Sequence, residues 1–181
     1  MNRNPRVSSR GFTLVETAVA IVIIATGVLA LVAAQQAWHE QSAWAERAAV
    51  ATRLGNEIRE MTFNAPRHDP VTGTATWGPE ANEVDLEDYD DLDDFDGIDG
   101  NGFVLSGSDG TGPVNAMRQV IPGMTYWTQT IHVFNVDPGN VNNDVLDATS
   151  DMMRVEVTID WQGPDAPEPV MMTKVRWLAP N

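Results

Sequence analysis

Arg10-Gly11-Phe12-Thr13-Leu14-Val15-Glu16 opens an apolar run that continues to Ala34, and the fold is decided there. Residues 14–34 are 21 positions with no Lys, Arg or Asp, and Glu16 is their one formal charge. A helix rises ~1.5 Å per residue, so this run spans the ~30 Å hydrocarbon core of a bilayer. The apolar core of a cleaved secretory signal is shorter, roughly 7 to 15 residues, so the run reads as a retained membrane helix. A carboxylate inside lipid is costly, which marks Glu16 as a functional residue. Its position three residues into the run also allows a second reading, a side chain solvated at headgroup depth.

Arg3, Arg6 and Arg10 precede the run without a balancing acid and predict a cytoplasmic amino terminus with the body on the opposite side. The 181 residues carry a formal net charge of −15. Removing residues 1–11 leaves eight Lys and Arg against 26 Asp and Glu, a net charge of −18. So acidic a chain is a poor candidate for nucleic-acid binding through a basic surface. With no cysteine, disulfide frameworks and thiolate metal sites are excluded.

Gly11 to Glu16, after a short basic leader and before a long apolar helix, resemble the processing site of type IV pilins and type II secretion pseudopilins. The resemblance implies cleavage between Gly11 and Phe12 by a prepilin peptidase and N-methylation of Phe12. It also implies that Glu16, fifth residue of the mature chain, pairs with the amine of a neighbouring subunit during assembly. The physical case is independent: a new amine at Phe12 and a carboxylate at Glu16 each lower the other's cost of leaving water. Implied partners are prepilin peptidase, other pilins or pseudopilins, the inner-membrane assembly platform and membrane lipid. The implied location is the inner membrane, with the carboxy-terminal domain periplasmic, and the pilus after assembly.

Beyond Ala34 the helical pattern persists. Trp44, Ala48, Ala51, Leu54, Ile58 and Met61 recur at spacings of three and four, a stripe for packing on a sheet. No proline occurs between Val7 and Ala65, so one helix is predicted over about 13–61, ended by Pro66 and Pro70. Trp38 reads as an interfacial anchor and His39 as a solvated helix residue. Many major pilins have a helix-kinking proline in the first half of this helix. This chain has only Gly27 there, which favours a minor subunit.

The chain divides into a leader (1–11), a transmembrane half of the helix (12–34), a soluble half (35–65), an acidic Gly/Asp-rich loop region (66–123) and an antiparallel sheet (124–181). Residues 80–99 hold eleven acids and no base. Tyr89, Leu92, Phe95 and Ile98 recur among them every three residues, as in a short 3₁₀ turn pinned to the body. Such a segment reads either as a calcium site, with Asp94, Asp96 and Asp99 as ligands beside Gly97 and Gly100, or as a solvated acidic loop. The spacing does not satisfy the EF-hand pattern. Residues 89–97 resemble the acidic aromatic motif of minor pilins such as the D-type subunit of mannose-sensitive haemagglutinin pili. Residues 54–58 sit where those proteins have a similar helix end.

Residues 125–136 and 153–161 alternate apolar with polar and read as strands. After turn signals at Gly163-Pro164 and residues 167–169, a strand over 170–178 closes an antiparallel hairpin. The predicted fold is α+β and pilin-like: a long amino-terminal helix, its first half transmembrane, packed on a carboxy-terminal antiparallel sheet of at least three strands. Trp161 and Trp177 read as core or sheet-edge packing, and His132 falls on the polar phase of its strand. An enzyme is not expected, because the sequence has no phosphate-binding glycine loop, no elbow serine and no histidine cluster. The function expected is that of a minor pilin. The alternatives are a minor pseudopilin of a type II secretion system and an adhesion or calcium-binding module displayed on the same anchor.

Overall fold

The computed structural model describes residues 12–73, 76–164 and 166–179, except for the side chain of Asp99. The leader arginines and Gly11 lie outside the described residues. Helix α1 runs without interruption over Leu14–Thr62, and five strands follow: β1 Phe103–Ser106, β2 Trp127–Asp137, β3 Asn140–Asp144, β4 Met153–Trp161 and β5 Val170–Leu178. This is the expected α+β, pilin-like arrangement of one long apolar helix and an antiparallel sheet. The chain forms two compact units, divided between Ala45 and Glu46.

In the first unit the helix buries nothing against the chain from Leu14 to Ser42. It is long and apolar enough to cross a membrane by length and composition.

In the second unit α1 buries Ala51, Leu54, Gly55, Ile58 and Thr62. Trp44, expected on this stripe, is 51% exposed and precedes the unit boundary. Its helical phase is right, but the body begins after it. Gly55 and Thr62 are the additions that the apolar pattern did not mark. A Cβ at Gly55 would stand 2.7 Å from Val175 Cγ2, so the absent side chain is what lets the helix approach β5 this closely.

The sheet order is β1-β2-β4-β5, all antiparallel, with β3 pairing the far end of β2. Ile131 faces Val157 across β2 and β4, and Val157 faces Val175 across β4 and β5. Alternation puts Ile131, Val133, Met153, Val155, Val157 and Ile159 into the core, as the sequence pattern predicts. Gln129 is the polar exception, fully buried on the same face. Its side-chain N–H groups donate to the Leu54 and Val114 carbonyls, both at 3.1 Å, and its oxygen accepts from Val114 N–H at 2.8 Å. One amide thus joins helix, sheet and loop with every hydrogen bond made.

Two strands escaped the sequence. β1 lies inside the stretch expected to be loop, because four residues between glycine-rich turns show too little alternation. β3, Asn-Val-Asn-Asn-Asp, has almost no strand propensity and is held by its hairpin with β2. On the outer face, Glu156 of β4 sits between Lys174 and Arg176 of β5 and pairs with both. Burial pushes its pKa up, but the hydrogen bond and charge of Lys174, with the charge of Arg176, more than reverse this and hold it below the ordinary 4.5.

Two outcomes follow from this packing. Gly55→Ala gains about 1 kcal/mol of helix propensity and loses about 1–3 to overpacking against Val175, so thermal unfolding of the full chain in detergent should shift downward, and adding Val175→Ala should restore it. Glu156→Gln should destabilise by about 1 kcal/mol at neutral pH. Because the folded-state pKa is depressed, this contribution is present above the unfolded value and disappears as pH falls through the folded one, so parent and variant midpoints should converge under acid.

Candidate functional site

The first candidate site is the start of α1. Thr13 precedes the first helical residue, and Glu16 is third in the helix. The backbone N–H and hydroxyl of Thr13 donate to Glu16 Oε2 at 3.0 and 2.9 Å, and Glu16 N–H donates to Thr13 Oγ1 at 3.3 Å. This is a capping box, in which the N-cap residue and the third helical residue satisfy each other's orphan donors. The Thr-x-x-Glu spacing that announces it stands in the sequence and is overshadowed by the processing motif that contains it. Glu16 also carries a negative charge in the first turn, where the helix dipole favours it. Phe12 is 81% exposed just ahead of the cap.

The second candidate site is the acidic segment, which is not the solvated loop expected from its charge. Asp91, Asp93, Asp94, Asp96 and Glu83 are buried, together with Tyr89, Leu92 and Phe95. The rings of Tyr89, Phe95 and Phe103 meet with centroids 5.0 to 6.4 Å apart and anchor it to the core. Ile98, expected among these anchors, is 78% exposed, because Gly97 turns the chain at a φ of 70° before it.

Buried carboxylates require donors, and here backbone amides supply most of them. Asp91 Oδ1 accepts from Asp93 N–H at 2.9 Å and Asp94 N–H at 3.2 Å, while Asp94 Oδ2 accepts from Asp90 N–H at 2.9 Å and Asp91 N–H at 3.1 Å. Asp96 fastens the segment to the sheet: one oxygen accepts from Trp77 Nε1–H at 3.0 Å and the other from Val133 N–H at 3.1 Å, with His132 Nδ1 3.6 Å away. The His132 ring also lies over Gly102, where a Cβ would stand 2.5 Å from it and φ is +82°. His68 Nδ1 meets Asp93 Oδ2 at 2.6 Å. Burial holds the His68 pKa below that of free imidazole.

Burial raises these acids above the usual carboxylate range. Asp91 is pushed up to about 8, with the Asp93 charge adding to the effect, and Asp93 and Glu83 each rise to about 7, Asp94 to about 6. Among the described residues, the cationic side chain that reaches this segment binds carbonyls, not carboxylates. Arg118, at φ 62°, donates to the Leu86 and Glu87 carbonyls at 2.7 and 3.1 Å and to the Tyr89 carbonyl at 2.7 Å.

Of the expected ligands Asp94, Asp96 and Asp99, Asp94 alone falls in a cluster of acids among the described residues. Both oxygens of Asp96 are engaged by the protein, and the side chain of Asp99 lies outside the described residues. Asp94 groups instead with Glu80 and Glu83, and with Asp90 and Asp91. Glu80, Glu83, Arg118 and the two His–Asp contacts went unmarked in the sequence. His68 and Asp93 are 25 positions apart and His132 and Asp96 are 36 apart, so no local spacing announces either pair.

A helix start with this chemistry resembles that of a prepilin-type subunit. Residues 6–32 match the family model described as the prokaryotic N-terminal methylation motif. No curated protein and no solved structure matches the chain. The motif supports a prepilin of the type IV pilin and pseudopilin kind, a structural subunit anchored in a membrane, cleaved by a prepilin peptidase and assembled with other pilins.

Arg118→Ala should remove three charge-assisted hydrogen bonds, lower stability by about 2 kcal/mol and speed amide exchange across residues 84–92. Arg118→Lys should recover only part of either, because an ammonium cannot reproduce the planar fork.

Proposed function

We propose that the chain is a minor pilin, cleaved between Gly11 and Phe12, methylated on Phe12, and assembled into a type IV pilus or priming its assembly through Glu16. The observation that carries this is the common register of basic leader, Gly-Phe junction, Glu16 and an uninterrupted 49-residue helix. Cleavage places a cationic amine on Phe12, four residues before Glu16. In the single chain the Glu16 carboxylate occupies itself with Thr13. An amine from an adjacent subunit offers a charged donor in place of a neutral one, and charge-assisted bonds are roughly twice as strong. Exchange of the cap for an intersubunit pair then gives assembly a fixed register along the filament. The proline-free helix and the acidic aromatic motif at 89–97 favour a minor subunit related to the D-type subunit of mannose-sensitive haemagglutinin pili.

In this reading the leader is cytoplasmic, the helix rests in the inner membrane before assembly, and the body is periplasmic. A minor pseudopilin of a type II secretion system shares every processing feature. Deleting the gene separates the two: loss of surface filaments with secretion intact supports the pilin, and the reverse supports the pseudopilin.

Amino-terminal sequencing of the mature protein should find methylated Phe12, and a start after Ala34 would overturn the assignment. Glu16→Ala should be processed normally yet fall at least about tenfold in sheared filaments, a loss of the size expected for one buried charge pair. Undiminished incorporation would sink the role of Glu16.

A further inference from the structure

Within the acidic segment, two buried carboxylate oxygens receive no donor from the protein. Glu80 Oε1 accepts from the Thr72 hydroxyl at 2.8 Å, Glu83 Oε2 from Glu80 N–H at 2.9 Å, and Asp94 Oδ2 from Asp90 and Asp91 N–H. Each carboxylate thus spends one oxygen on the chain. Asp94 is 0% exposed, yet its other oxygen, Oδ1, is buried without a hydrogen-bond partner, and so is Glu80 Oε2. One ligand oxygen from each of Glu80, Glu83 and Asp94 lies within 4.8 Å of the other two.

A buried carboxylate oxygen without a donor is expensive, and two in one place with a third carboxylate alongside compound the expense through like-charge repulsion. A hydrogen-bond donor would relieve one of them. A cation at the point of convergence relieves all three together, and the oxygen-only donor set selects a hard one. Magnesium demands near-ideal octahedral geometry and keeps most of its water, whereas calcium accepts irregular sets of six to eight oxygens and bidentate carboxylates. Asp90 and Asp91 form a second group that shares Asp94 and places further oxygens beside the first, and half-buried Glu80 keeps the site open to entry and to water ligands. We propose that Glu80, Glu83 and Asp94 bind one calcium ion, which fastens the turn at 80–83 to the 3₁₀ turn at Asp93–Asp96. The site stands whether the chain serves a pilus or a secretion system.

The test uses the full-length protein in detergent micelles, stripped with EGTA and titrated calorimetrically with calcium chloride and, separately, magnesium chloride at neutral pH. One calcium per chain should bind, with thermal unfolding raised by several degrees, and magnesium should bind far more weakly. Glu83→Gln and Asp94→Asn should each lower calcium affinity at least about tenfold, since even outer partners of a metal site contribute that much. Asp109→Asn, an exposed carboxylate outside the group, should leave affinity unchanged. If Asp94→Asn folds poorly, Glu80→Gln at the half-buried ligand replaces it with the same expected loss. A flat trace with an unshifted midpoint at millimolar calcium overturns the proposal. Equal affinity for magnesium overturns the choice of calcium, and undiminished calcium affinity in the Glu83 and Glu80 variants overturns the location.

Discussion

The close approach of α1 to β5 at Gly55 sets the spacing on which the body depends. With no Cβ in the way, Val175 packs against the helix backbone, and Leu54 and Ile58 on either side reach the sheet face formed by Ile131, Val157 and Ile159. At this distance Gln129 can also touch the Leu54 carbonyl while holding Val114. A larger residue at position 55 would lift the helix away from that amide and leave its buried polar atoms wanting, so apolar packing and polar satisfaction share one constraint.

The same core receives the acidic segment. Tyr89, Leu92 and Phe95 enter it as ordinary apolar anchors, and their spacing draws the intervening aspartates out of water. The protein meets the resulting demand with amide protons from tight 3₁₀ geometry and with Trp77 and His68 brought from outside the segment. Asp91, Asp93, Asp94 and Asp96 therefore belong to the interior for all their charge, while Asp88 and Asp90 beside Tyr89 stay exposed.

Much of this was legible in the sequence. The helix, β4 and β5 announce themselves through period and bounding prolines, because each is long enough for its pattern to show. β1 and β3 are short and owe their existence to the partner strand, so their own residues say little. Trp44 kept the helical phase but lay beyond the end of the body, a limit that periodicity does not encode. For the candidate sites, Gly11, Phe12 and Glu16 were named through the family resemblance, and Thr13 could have been named from its Thr-x-x-Glu spacing. The acidic segment was harder, since charge density argues for exposure while the tyrosine and phenylalanine between the charges argue for burial. Which oxygen faces which donor depends on chain reversals at Gly97 and Gly102 and on histidines far away in sequence.

The way the acids are satisfied determines how the body responds to ionic strength. Among the described residues, no Lys or Arg side chain pairs with a carboxylate of residues 80–99. Their short-range bonds to buried amides are scarcely screened by dissolved ions, whereas the repulsion among the many exposed acids of so negative a chain is screened beyond a Debye length of about 8 Å at physiological salt. Added salt thus removes a destabilising term from the acidic segment and leaves its stabilising bonds in place. The exposed ion pairs of the outer sheet face weaken in brine; the acidic segment is built to tighten.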